Sequence, residues 1–244
     1  MDLGLWATWF NLETETRDRF QDWAHREFLP HLRTLPGVSW VAQYKNEGGG
    51  PKMDQLVKDV IGHTDEDIGD GSEYVILVGA PSAQTFFNPY IPEMVWPDGF
   101  VEMLALQQGR RSAIFSELHR LSGPDGENAT VGGPPGPYIQ MGSFRMQTIE
   151  KDFEIGKWYA QHRFPYMAQM PGCIGTRKYV GVAGWAKHAV LYEFTSAEAR
   201  LQQFEIKHET HDLDSEAWHT KVIPFTCHSP GSPTIGPRLW PPVD

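Results

Sequence analysis

Three histidines and three arginines are the residues of this chain best suited to acid/base chemistry on a small anion. His208 and His211 stand in the stretch FEIKHETHDLDSEAWHTKVIPF, with Asp212 directly after the second. An unperturbed imidazole titrates near neutrality and can both take and give a proton. His211 is therefore the leading acid/base candidate, with His208 beside it. Two histidines and a carboxylate also match a facial metal triad, but no further ligand cluster accompanies them, so no metal is expected. His162 belongs to a helical stripe of Ile155, Trp158, Tyr159, His162, Tyr166 and Met170, spaced i, i+3, i+4, i+7. That face is expected to meet a sheet, so His162 is either a hydrogen-bonded core residue or a pocket group. Tyr159 joins it as a catalytic candidate and Trp158 as pocket wall. Arg145, Arg163 and Arg177 could each hold a carboxylate through two parallel N–H bonds. Cys173 reads as a small core residue, because nothing nearby in sequence would lower its pKa.

The remaining composition narrows the chemistry. The chain has 244 residues, 40% apolar and 21% charged, with a formal net charge of −10. That balance opposes nucleic acid or an anionic membrane as partner, since both need a basic footprint. It leaves room for an anionic substrate held by local arginines. No apolar run reaches membrane-spanning length, and MDLGLWATWFNLETE lacks the basic start and small-residue cleavage site of a signal peptide. Only Cys173 and Cys227 are present, which suggests a reduced, cytoplasmic chain. No phosphate loop, dinucleotide fingerprint, CxxC pair or GxSxG elbow occurs. Chemistry by side chains alone, with no cofactor, is the expectation.

The elements that must position these residues come as a repeat. FQDWAHREFLPHLRTLPGVSWVAQY (residues 20–44) aligns without a gap on IGKWYAQHRFPYMAQMPGCIGTRKY (residues 155–179). Trp23 falls on Trp158, Pro36-Gly37 on Pro171-Gly172 and Tyr44 on Tyr179. ILVGAPSAQTFF (76–87) then falls on VLYEFTSAEARL (190–201), with Ser82 and Ser196 as helix N-caps. Each half reads as strand, helix, strand, strand, helix, strand. The first strands are predicted at residues 3–10 and 138–146, the last at 113–118 and 222–226. Residues 1–121 form the first unit, with a long insert at 46–73. Residues 122–137 are a Gly/Pro linker, 138–228 the second unit, and 229–244 a proline-rich tail expected on the surface or on a neighbour.

The aromatic-Tyr, Pro, Pro-Gly and Tyr pattern resembles the dimeric α/β-barrel superfamily, which includes EthD-like proteins and muconolactone isomerases. The resemblance covers both halves and implies an α+β fold of tandem ferredoxin-like repeats with antiparallel sheets, substrate lying between a sheet and its helices, and a homodimer. Family members often carry a histidine two residues before the motif's proline; here Arg163 holds that place in the second half and Phe28 in the first. The His208/His211 stretch resembles that of olivetolic acid cyclase, where the second histidine is an acid/base. Glu209 replaces that motif's proline. The resemblance implies a cofactor-independent enzyme, an isomerase of a small unsaturated carboxylic acid from aromatic catabolism. A haem protein of the chlorite dismutase kind, a cofactor-free monooxygenase and a non-catalytic small-molecule binder are the alternatives.

Overall fold

A computed structural model describes residues 2–88, 90–130, 132–207 and 222–243. The first half runs β1 (Gly4–Asn11), α1 (Thr14–Trp23), α2 (Leu29–Thr34), β2 (Trp40–Lys45), α3 (Pro51–Asp59), β3 (Gly62–His63), β4 (Tyr74–Ala80), α4 (Phe100–Leu104) and β5 (Gln108–Ser122). The second runs β6 (Tyr138–Met146), α5 (Ile149–Trp158), α6 (Phe164–Met167), β7 (Cys173–Ala183), β8 (His188–Phe194), α7 (Ala197–Ala199), β9 (Thr226–His228) and β10 (Thr234–Trp240). Strands neighbour one another in the order β10-β2-β4-β1-β5-β7-β8-β6, and β6 pairs back onto β10. The sheet is thus a closed, antiparallel, eight-stranded barrel within one chain, and needs no second chain to complete it.

Period-two alternation sorts the side chains of every strand. Leu5, Ala7, Trp9, Tyr44, Leu77, Phe115, Ile139, Met141, Tyr179 and Leu191 fill the lumen. The opposite faces meet helices in two separate layers, one on each half. Trp9 donates its indole N–H to Thr234 Oγ1 at 3.0 Å, so the wall strand β10 is tied to the lumen.

The order β2-β4-β1-β5 of the first half recurs as β7-β8-β6-β9 in the second. In both, the first helix is interrupted by a π turn, at Ala24–Phe28 and at Tyr159–Arg163. In both, the Pro-Gly stop puts its glycine at positive φ, +80° at Gly37 and +82° at Gly172. Ser82 and Ser196 cap their helices as predicted, accepting from the N–H of Gln84 and Ala199.

Two expectations are corrected and a third is filled out. The proline-rich tail is not surface chain. Thr234 and Ile235 are buried, and β10 covers the edges of β2 and β6, which would otherwise stay open. Its prolines masked the strand pattern. The last strand begins at Thr226 rather than Val222, because Pro224 sits in a 3₁₀ turn at Ile223–Phe225 and lacks the ladder donor. The insert 46–73, expected only as a long connection, carries α3 and β3 and packs on the second half through Met53, Leu56 and Ile61.

Candidate functional site

The π turn decides which side chain faces the second-half sheet. A regular helix would carry the apolar stripe from Trp158 to His162. One extra residue in the turn advances the register, so Arg163 is buried at 4% exposure while His162 is exposed. The same turn leaves Glu27 exposed and buries Phe28 in the first half. The expectation of His162 on the sheet-facing side is corrected accordingly.

Arg163 lines a cavity between the second-half sheet and its helices. Its guanidinium carbon lies 4.6 Å from the Trp158 ring centre, 5.0 Å from that of Phe204 and 5.7 Å from that of Tyr192. Rings hold a cation through their negative faces. Trp158 and Tyr159 complete the helical wall, and Gln140, Gly142 and Phe144 of β6 form the floor. The enclosed volume is about 70 Å³.

His228, on β9, lines the same cavity and was not anticipated from sequence. Its ring stacks on Phe144 at 5.2 Å, and its Nδ1 lies 3.0 Å from Ser232 Oγ. Ser232 Oγ also accepts the N–H of Ser143 at 2.9 Å, which fixes the hydroxyl. Burial, with a smaller contribution from the His63 ring, pushes the His228 imidazole down to about 3, so it is neutral at pH 7. The only sequence signal for it was a histidine between Cys227 and Ser229 just past a predicted strand, too plain to single out.

The insert closes the cavity from above. Met53, Leu56 and Ile61 line it. The Glu205 carboxylate accepts the N–H of Gly50 at 2.9 Å and those of Lys52 and Met53 at 3.2 Å, at the N-terminus of α3. Arg200 pairs with Glu205 and also donates twice to Gln140 Oε1, at 2.9 and 2.8 Å. Burial opposes the charge of Glu205, yet the Gly50 N–H and Arg200 together hold its carboxyl below the usual range. The lid helix, a buried ion pair and the cavity floor are therefore one network.

The other predicted residues lie elsewhere. Strand alternation turns Arg177 to the barrel interior, where it pairs with Asp2 at 2.7 Å and Glu193 at 2.8 Å, both buried. Arg145 is exposed, stacks 4.8 Å from the Trp185 ring and donates to the Trp185 carbonyl. His208 and His211 lie outside the described residues. Burial pushes the Cys173 thiol up to about 12, consistent with a core residue. Among the described residues no cluster of three metal-ligating side chains occurs, and no helix is long and apolar enough to cross a membrane.

No family model matches the chain, and no curated protein matches it. Solved structures do. A candidate monooxygenase from Fusobacterium nucleatum subsp. nucleatum superimposes with a TM-score of 0.58 over 97% of this chain and 93% of its own, at 9% identity. A candidate chlorite dismutase gives 0.53 over 98% and 95%, at 14% identity. An anthrone oxidase-like protein gives 0.52 over 91% and 83%, at 13% identity. At such identities the likeness is one of fold alone: an α+β fold around a closed, antiparallel eight-stranded barrel.

Proposed function

We propose that the chain is an enzyme that holds a small organic carboxylate in the second-half cavity and moves a proton on it, as in isomerisation of an unsaturated acid. The observation that carries this reading is that one aromatic-walled cavity is lined by both the Arg163 guanidinium and the neutral imidazole of His228. Arg163 would bind the carboxylate. His228 would accept the proton from the carbon next to the conjugated system and return it at the far end. One C–H bond breaks and another forms, and no oxidant is needed. A bound anion and the developing enolate favour the imidazolium, which offsets the burial that keeps His228 neutral in the free protein. Tyr159 and Trp158 would shape the site around the substrate.

Haem does not fit this cavity. About 70 Å³ is available, against several hundred for a ligand of drug size or larger. The fold neighbours described as candidate monooxygenases support a second reading, in which the substrate carbanion meets oxygen. The test is an absorbance assay of the purified protein with a panel of dienoates and enols, run beside an oxygen electrode. Absorbance change without oxygen uptake, slowed at least roughly tenfold in Arg163→Phe and in His228→Gln, is expected. Oxygen uptake would move the assignment to the second reading, and turnover unchanged in both variants would overturn the site.

We also infer that the halves are tandem ferredoxin-like units. The repeated strand order, the matching π turns and the matching Pro-Gly stops support this reading.

A further inference from the structure

A second opening lies on the same helix layer, on the far side of Tyr159 and Phe164. It is a groove of about 480 Å³ whose walls include Leu118, Leu121, Ala160, Phe164 and Ala168. Two basic side chains line it, His119 against the Phe164 ring at 4.6 Å and a lysine from beneath. Lys178, on β7, is only 4% exposed, and its ammonium lies 5.6 Å from the Tyr159 ring. No hydrogen bond or ion pair engages it among the described residues. Asp152, the carboxylate whose charge reaches it, is bonded to Lys187 and to His188 instead. Burial pulls the Lys178 ammonium below the usual lysine range, with Asp152 opposing.

The first half shows what a sealed version looks like. By the gapless alignment, Lys178 stands where Gln43 does, Ala160 where His25 does and Gly156 where Gln21 does. Gln43 is fully buried and its Oε1 lies 2.6 Å from His25 Nε2. In the second half the covering imidazole is replaced by a methyl group, and nothing lies within 4 Å of where a side chain on Gly156 would begin. An amide bonded through its oxygen has become an ammonium that makes no hydrogen bond or ion pair among the described residues, under an opening lined mainly by carbon. A buried ammonium with no carboxylate in direct contact is costly unless a ligand supplies one.

We propose that this groove is a second ligand site, for an organic monocarboxylate with an apolar body, whose carboxylate pairs with Lys178. The apolar body would lie along Leu118, Leu121 and Phe164, covering Leu118, which is 63% exposed. This site is separate from the Arg163 cavity and does not depend on the reaction proposed there.

The test is calorimetric titration of the full chain with octanoate and, in parallel, octan-1-ol. Octanoate is expected to bind at one site at least roughly tenfold more tightly than the alcohol. Lys178→Gln, which copies the first half, should erase that preference while the alcohol still binds. Ala160→Trp, at an exposed position, should block both ligands. Arg163→Phe should leave octanoate binding intact. Equal affinities for acid and alcohol, undiminished octanoate binding in Lys178→Gln, or its loss in Arg163→Phe would each overturn the proposal. So would no binding at all, in which case sedimentation velocity tells an empty groove from one covered by a second copy of the chain.

Discussion

The two helix layers rest on sheets of the same strand order yet enclose opposite interiors. On β1 the residues turned away from the lumen are Trp6, Thr8 and Phe10; on β6 the matching residues are Gln140, Gly142 and Phe144. In the first layer the place of Arg163 is filled by rings, and the opening in that layer, about 210 Å³ beside Trp6, Phe86 and Ile91, lies elsewhere. Phe28 stacks on Trp23 at 5.2 Å and meets Trp96 and Phe100 edge-on, at 5.7 and 6.1 Å. The second layer replaces Phe28 by Arg163, Trp6 by Gln140 and Thr8 by Gly142. Lost volume and gained polarity coincide at the same positions, and that is where the cavity lies. Burying an aromatic ring contributes about 1.5–3 kcal/mol. The second half gives up part of that stabilisation where the first keeps it. Under the proposed function, the first layer supports and the second binds.

The largest effect should come from forcing the first half to imitate the second. Phe28→Arg places an uncompensated charge among Trp23, Trp96 and Phe100 and should destabilise the fold by about 3–5 kcal/mol. Thermal denaturation should show a midpoint lowered by about 10 °C. A shift under 2 °C would mean that the first layer accommodates a cation as readily as the second. Glu205→Ala should come close behind, because it strands the buried Arg200 and frees the N-terminus of α3. Calorimetry should register a loss of about 3 kcal/mol, and limited proteolysis should cut first within residues 46–59. Arg163→Phe, the reverse imitation, should keep the fold and lower substrate turnover roughly 10- to 100-fold, the scale of one charge-assisted contact. Unchanged turnover would take the guanidinium out of the site.

Much of the scaffold was legible in the residues. Pro36-Gly37 and Pro171-Gly172, Ser82 and Ser196, and the boundaries of β6 all followed from local signals that owe little to tertiary context. The site was legible only to within one residue. Helical periodicity pointed at His162, while the π turn brought in Arg163, and such a turn leaves no mark that a period of 3.6 can detect. Arg177 failed for a different reason. Strand alternation says that neighbours face opposite ways but not which of Arg177 and Lys178 faces the lumen. β10 and His228 were hidden together, because the prolines that disguised the closing strand also made the segment around His228 look like tail.

His228 offers a test by pH. Its imidazole is depressed from the ordinary 6.5 to about 3 in the folded protein, so between those values the unfolded chain holds more protons. Stability should therefore fall as pH drops from about 6.5, with His228 contributing up to one proton, or about 1.4 kcal/mol per pH unit. His188, also depressed mainly by burial, adds to the slope with the same sign. His228→Gln should remove one share and leave the other. Urea titrations between pH 5 and 6.5, above the range in which the carboxylates protonate, would reveal it. Equal slopes for the two proteins would show that His228 is charged, or already solvated, in the native state.

The smallest expected change is the sharpest comparison of the halves. At Gly142 an added methyl would meet His228 Cε1 at 3.8 Å and Phe144 Cδ1 at 3.9 Å, ordinary contacts that the strand accepts without moving. Gly142→Ala should therefore be neutral or stabilising by about 0.4–1 kcal/mol, because alanine has less freedom to lose on folding. The same methyl points into a cavity of only about 70 Å³, at the position that Thr8 fills in the first half. Substrate affinity should fall severalfold while the melting temperature holds or rises. That opposition separates a binding cavity from a packing defect: a defect gains stability on being filled and loses nothing, whereas a site gains the same stability and loses its ligand.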